Sequence, residues 1–327
     1  MNKLSTKLMA LLCLAVFSVT VLAGCPGQAK KPGPPGRPRA EADRFAGNEP
    51  TITLYINETG ERKRIKMEEY LKGVVAAEMD PKWPVKALAA QAIVARTFTL
   101  RQIKTKGGVP QRNADASTSV EEFQAYDSTR INDNVVKAVN MTRGEVIRYK
   151  GEYVNAWFSA CDGGETASAE EGLAFRKEPT PYLKAGVKDG CLAITVPENK
   201  SWTASFPLTT VRSAVKQTAG RDPGAITAAG VKVAKWGPSG RAEAIKIGKV
   251  TVSGPALRLA LGNDKMRSIF IDKLTVQGSS LVMHGKGYGH GVGMCQWGAR
   301  RMAAEGKSPE DIVRFYFRDV TIDKMWN

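Results

Sequence analysis

The chain has 327 residues, 43% of them hydrophobic, which is enough to bury one large core or two modest ones and excludes global disorder. Forty-eight basic residues stand against 32 acidic ones, a formal net charge of +16, yet no basic-aromatic motif of the kind that binds nucleic acid is present. The charge is read instead as attraction to anionic surfaces.

The first feature in chain order is the stretch from Met1 to Cys25. Lys3 and Lys7 precede an uninterrupted apolar run that ends in small residues, the layout of a secretory signal. Leu22, Ala23, Gly24 and Cys25 resemble the bacterial lipobox, in which the Cys25 thiol receives a lipid and becomes the new N-terminus. Stable anchoring takes more than one acyl chain, which that modification supplies. Residues 26–50 interleave Pro, Gly and basic side chains with little to bury, and read as a tether. A basic chain anchored on the outer face of the cytoplasmic membrane meets anionic lipid and anionic wall polymers, whereas nucleic acid is not normally present there.

Residues 51–327 read as one compact α+β domain, with long helices packed against antiparallel strands and a variable insertion at about 191–240. From Thr51 the pattern gives a strand, a turn at Thr59 and Gly60, a second strand and then a helix. Leu71, Val74 and Val75 fall at i, i+3 and i+4 of that helix, so Glu78 takes the next place on the apolar stripe. A carboxylate stands where a core residue is expected. The DPKWP segment ends this helix, and Pro84 opens another whose stripe runs Ala87, Gln91, Val94 and Phe98. Residues 109–124 read as a surface loop, followed by a helix from Asp133 and a hairpin turning at Lys150 and Gly151. The small, glycine-bearing segment from Cys161 to Gly172 suits an active-site loop, but its composition suits an ordinary loop better.

Beyond it, a helix is predicted at 208–220, strands at 242–254 and 273–285, and a closing helix at 298–317. Glycine at 285, 287, 289, 291 and 293 leaves one face of an extended chain bare, either for a polymer to approach or for close internal packing. Apart from Cys13 and Cys25, the cysteines are Cys161, Cys191 and Cys295. A Cys161–Cys191 disulfide is the default in an oxidising compartment. Zinc held by some of these thiols with His284 or His290 is a second reading, although no compact finger spacing is present, and free thiols are a third.

Two long segments carry a resemblance. EEYLKGVVAAEMDPKWPVKALAAQAIVARTFTL and GKGYGHGVGMCQWGARRMAAEGKSPEDIVRFYF, with SGRAEAIKI and LRLALG between them, are similar to the SpoIID/LytB family of stage II sporulation protein D, in order, from about Thr51 to the C-terminus. The resemblance implies a lytic transglycosylase that cuts peptidoglycan glycan strands, preferably stripped of stem peptides, and leaves 1,6-anhydromuramic acid ends. The glutamate of its VVAAEM motif falls on Glu78. One carboxyl group suffices for that reaction, which accords with the lack of an obvious partner for Glu78 beyond Glu165, Glu170 and Glu171. Gln91, Arg96, His290 and Gln296 are candidate hydrogen-bonding residues for the sugar, and Tyr288 and Trp297 candidate stacking faces. Some relatives bind zinc, but their ligands do not align with Cys161, Cys191, His284 or His290, so no metal is favoured here. The family name also implies a second role, in which a non-catalytic wall-binding protein stimulates or positions a partner amidase. Two positions depart from the pattern: Asp80 precedes Pro81 where proline is expected directly, and Cys295 stands in place of serine.

Overall fold

The computed structural model describes residues 45–327. The signal segment, the lipobox with Cys25 and most of the expected tether lie outside them. The fold is α+β, as expected, and among the described residues no helix is long and apolar enough to cross a membrane.

Strand β1 (Thr51–Tyr55) alternates inward Ile52 and Leu54 with outward neighbours, and pairs antiparallel with β2 (Arg62–Lys66) so that Ile52 faces Ile65. Helix α1 (Met67–Glu78) follows directly, with Glu68 and Glu69 in its first turn and with Leu71, Val74 and Val75 fully buried. Helix α2 (Val85–Lys106) is the longest. It runs through the first core and stops where Gly107 takes the left-handed conformation, φ +73°. Short β3 (Ala116–Ser117) pairs parallel with β1, and α3 (Asp133–Met141) is capped by Asn132, which accepts from Val135 N–H at 3.0 Å. The predicted hairpin is β4 (Glu145–Tyr149) and β5 (Glu152–Tyr153), and β6 (Phe158–Ser159) leads into the Cys161 loop. Short helices α4 (Ala169–Leu173), α5 (Cys191–Ile194) and α6 (Pro197–Lys200) carry the chain out of the first core.

A second core then begins. It joins β7 (Trp202–Pro207), α7 (Leu208–Ala219), β8 (Val231–Trp236), β9 (Ala242–Ile247), β10 (Val250–Ser253), α8 (Gly254–Leu261), β11 (Ile271–Gln277) and β12 (Ser280–Gly285). Two three-stranded sheets, β10-β9-β8 and β11-β12-β7, enclose it. The expected insertion over 191–240 therefore falls partly within a structural unit that runs on to Met283. Strand β13 (Met294–Cys295) returns the chain to the first core and pairs parallel with β6. The closing helix predicted as one piece is two, α9 (Gln296–Ala304) and α10 (Pro309–Tyr316). Gly306 at φ +90° and the Ser308 cap, which accepts from Asp311 N–H at 3.1 Å, break it. Strand β14 (Thr321–Lys324) completes the sheet on β4.

Alternating glycines do not make a bare extended face. Gly287, Gly289, Gly291 and Gly293 all have positive φ. A Cβ on Gly293 would lie 2.0 Å from the Trp157 carbonyl oxygen, and one on Gly291 2.3 Å from the Arg241 guanidinium. Close internal packing, the second of the two readings, is what the glycines serve.

Candidate active site around Glu78

Glu78 is the last residue of α1, so its side chain leaves the buried stripe where the helix ends. Oε1 accepts a hydrogen bond from the backbone N–H of Ala125 at 2.8 Å, and Gln296 donates from its side chain. Burial pushes the carboxyl up to about 7 despite both donors, which favour the ionised form. A carboxyl poised there can deliver a proton and then take one back near neutral pH.

Three elements converge on this carboxyl. The loop before Asp127 supplies Ala125 and is clamped to α1: the Tyr126 ring lies against Gly73, where a Cβ would approach within 2.3 Å, and Asp127 N–H donates to the Gly73 carbonyl at 3.0 Å. Tyr126 also stacks on Tyr70, centroids 5.8 Å apart. Sequence reasoning passed over Ala125, because a backbone N–H leaves no trace in residue identity. The third element is α9, whose first residue is Gln296. Gln296 Nε2 donates to Gln91 Oε1 at 3.4 Å, at the long end of hydrogen-bond range.

Not every expected site residue joins this group. Gln91 has no exposed surface, so it positions Gln296 and cannot itself touch a glycan. Arg96 is likewise fully enclosed. Its guanidinium forks onto Glu68, Nε to Oε1 at 3.0 Å and Nη2 to Oε2 at 2.6 Å, and Nη1 donates to the Glu145 carbonyl at 2.9 Å. That is a structural ion pair of the core, which corrects the expectation of a sugar contact. Tyr288 lies under the Arg267 guanidinium, 4.0 Å from its ring centroid, and exchanges two backbone hydrogen bonds with Cys161. His290 Nδ1 accepts from Val292 N–H at 3.0 Å, and burial, with the charges of Arg258 and Arg241, pushes the imidazole down to about 3. It is neutral at physiological pH. The contacts of Tyr288 and His290 are thus with the glycine-rich loop and its neighbours, not with Glu78.

Trp297, next to Gln296, is half-buried and packs on Trp83, centroids 4.7 Å apart, with Arg300 over both rings. Trp83 follows Glu78 by five residues in the DPKWP turn, whose sequence signals only a helix stop. Lys82, Trp83, Pro84, Ile194 and Arg300 line a cavity of about 580 Å³ beside this pair. Of the three candidate partner carboxylates, Glu171 is buried against Ser239 and Arg241, and Glu170 pairs with Arg176 on the surface. Glu165 is half-buried in the Cys161 loop and its backbone carbonyl accepts from Arg241.

The cysteines do not form the expected disulfide. Cys161 and Cys191 are both free, their sulfurs 3.4 Å apart, and Cys295 joins them. Neither histidine belongs to this group, because His284 Nδ1 pairs with the Thr203 hydroxyl at 2.8 Å.

Comparison with known proteins identifies the family. The family pattern described as SpoIID, Stage II sporulation protein, matches residues 55–149, which contain Glu78 and Ala125. The chain is 34% identical over 261 residues to an uncharacterized protein of Brachyspira hyodysenteriae, covering 79% of this chain and 67% of that one. It is 30% identical over 342 residues to the stage II sporulation protein D of Bacillus amyloliquefaciens, covering 96% of this chain and 94% of that one. It is also 29% identical over 295 residues to the amidase enhancer of Bacillus subtilis, covering 77% of this chain and 40% of the enhancer. The chain belongs to the stage II sporulation protein D family.

Proposed function

We propose that this protein is a lytic transglycosylase that cleaves peptidoglycan glycan strands, with Glu78 as its single acid and base. The observation that carries the reading is the Glu78 carboxyl itself, half-buried, pushed up to about 7 and held by Ala125 and Gln296 with no second carboxylate in that hydrogen-bonded set. Protonated Glu78 donates to the glycosidic oxygen as the bond from muramic acid C1 breaks. The resulting carboxylate takes the proton of the muramic acid's own C6 hydroxyl as that oxygen bonds to C1. The product is a 1,6-anhydro end and no water is consumed. A hydrolase of either stereochemistry would require a second carboxylate within about 5–10 Å. Trp83 and Trp297 offer the aromatic faces on which a sugar ring stacks.

Family membership and the relative named amidase enhancer support association with the cell wall and a wall amidase as partner. That relative's name also favours a second reading, in which this chain stimulates an amidase without cutting glycan itself. The two roles fit one sequence of events, because an amidase strips stem peptides and leaves the naked strand. In this reading the chain sits on the outer face of the cytoplasmic membrane, lipid-anchored through Cys25, and works in sporulation or wall remodelling. Incubation of the purified protein with glycan strands freed of stem peptides, followed by mass spectrometry, tests the enzyme reading. Anhydro-ended fragments are expected with the wild type and none with Glu78→Gln. Absence of such fragments with the wild type, alongside faster stem-peptide release by an added amidase, leaves the second reading in place.

A further inference from the structure

We propose that Arg300 and Lys82 form a subsite that reads the lactyl carboxylate of a muramic acid ring, which rests on the reading of this cleft as a glycan site and deepens it. Helix α9 divides its residues by face. Gln296, Ala299, Met302 and Ala303 are buried, whereas Trp297, Arg300 and Ala304, at i, i+3 and i+7, face outward. Trp297 packs on Trp83, and Arg300 and Ala304 line the cavity of about 580 Å³ that Lys82 and Trp83 border from the DPKWP turn. Both rings are carried by segments that touch the Glu78 carboxyl or bear it: Trp297 follows Gln296, and the turn leaves α1 at Glu78. Arg301 and Glu305 also line the cavity but satisfy each other, and Arg301 donates to the Asp189 carbonyl at 2.6 Å as well. Arg300 and Lys82 have no carboxylate partner among the described residues. The Arg300 guanidinium lies over the aromatic pair instead, 4.8 Å from the Trp297 centroid and 5.2 Å from that of Trp83. A guanidinium stacked by its face keeps its in-plane N–H groups free, and those fork onto a carboxylate.

An aromatic platform with two unpaired cations at its edge suits a sugar that carries a negative charge. Muramic acid is such a sugar, because it differs from glucosamine by a lactyl ether that ends in a carboxyl beside a methyl group. The free carboxyl is ionised near neutral pH. A stem peptide converts it to a neutral amide, which leaves the two cations without a partner. Ile194, 38% exposed at the same cavity, offers the lactyl methyl an apolar surface. The subsite thus selects stripped strands by charge, whereas steric exclusion of the peptide would accept any short substituent equally. It also sets register, because the alternate ring of the strand has no carboxyl.

The test compares strands freed of stem peptides with the same strands after their lactyl carboxyls are coupled to methylamine, which removes the charge and adds little bulk. For the full-length wild type, kcat/KM should be about tenfold higher on the free carboxyl, the factor of one charged hydrogen-bonded pair, and the gap should shrink at high salt. Arg300→Gln should bring the two substrates within about twofold of each other, and Arg300→Lys should keep part of the gap. Lys82→Gln, on an exposed turn, should narrow it by less. The ratio of two substrates on one enzyme does not move with the fraction of molecules folded. Equal rates in the wild type, or a ratio unchanged in Arg300→Gln, overturn the proposal. If the wild type cuts neither strand, the transglycosylase reading fails and calorimetry decides this one separately. Glu78→Gln should then bind the free strand about tenfold more tightly than the methylamide, and adding Arg300→Gln should close that gap; equal binding of the two strands overturns the proposal. Strands that keep their stem peptides have carboxylates only on the peptide, so their binding as tightly as stripped strands also overturns it.

Discussion

At the scale of single residues, the position of Glu78 on its helix determines its chemistry. Three apolar residues of one stripe are followed by a carboxyl at the point where α1 ends, so the group is half-buried and has neither a full hydration shell nor a cation to pair with. Because its folded-state pKa is raised from 4.5 to about 7, the folded protein binds a proton more tightly than the unfolded chain does. The stability contributed by this group is therefore full below about pH 4.5 and lost as pH rises through about 7, by up to roughly 3 kcal/mol. Glu78→Gln should abolish turnover, a loss of at least 10²–10⁴-fold for a general acid, while raising the melting temperature at pH 8 by several degrees and leaving it almost unchanged at pH 4. Calorimetry at the two pH values separates this from a structural brace, whose removal lowers the melting temperature at both. Wild-type activity should fall as pH rises above about 7, as the acid is lost. Glu68 is the opposite case. Its carboxylate accepts from Arg96, from Gly144 N–H at 3.1 Å and from the Trp326 indole at 2.9 Å, and is 2% exposed. Arg96→Ala would leave that charge unpaired in the core and should cost about 3–5 kcal/mol. The measurement is chemical denaturation, with activity per folded molecule expected to stay within about twofold of the wild type because Arg96 does not reach the cleft.

At the scale of elements, what was legible in the sequence was what periodicity encodes. The stripes of α1 and α2, the alternation in β1 and the hairpin signals at Lys150 and Gly151 each write a structure into neighbouring positions, and those elements lie where they were expected. Strand β7 was also written this way, as inward Trp202, Ala204 and Phe206, but short α5 and α6 before it hide where the alternation starts. The cluster around Glu78 was only half legible. Gln296 and Trp297 are legible from their side-chain chemistry, an amide donor and a stacking face, whereas Ala125 contributes a backbone group and Arg96 satisfies a partner, Glu68, that sits a turn and a helix away. Polarity on a buried stripe thus signals either a site or an ion pair, and sequence spacing alone does not separate them. The glycine-rich segment gives a sharper test at this scale. Gly293 and Gly151 both have positive φ, +74° and +83°, but only Gly293 also meets a carbonyl oxygen at 2.0 Å where a Cβ would be. Gly151→Ala should cost about 1 kcal/mol from backbone strain alone, and Gly293→Ala several times that, or no soluble protein, because β13 and with it Gln296 must move. Urea midpoints of the two variants make the comparison. Equal shifts would mean that the segment has room to relax.

At the scale of the whole molecule, two hydrophobic cores share one chain, and the second is entered and left at a single place. Asn199, just before β7, accepts from Gly287 N–H at 2.7 Å, just after β12, and its side chain accepts from Arg267 at 2.7 Å, so the two crossings run side by side. What fastens the cores together is a buried polar latch. Arg241, the residue just before β9, donates across to the carbonyls of Asp162 and Glu165, the latter at 2.8 Å. In the other direction Glu171 of α4 accepts from Ser239, from its N–H at 3.1 Å and its hydroxyl at 2.8 Å. Both charged side chains are nearly inaccessible, at 1% and 2% exposure, so neither can fall back on water when its partner is removed. The strands of the second core do not need the latch to pair with one another, since their register is set within the two sheets. Arg241→Leu should therefore uncouple the cores before it unfolds either. The expected result is a melting temperature lower by on the order of 10 °C for the first core, a second transition that is separately visible, and earlier proteolysis at the crossings near Asn199 and Lys286 that releases a fragment of residues 202–285. The fragment identifies the latch, because a general loss of packing would instead give one broader transition and cuts scattered along the chain.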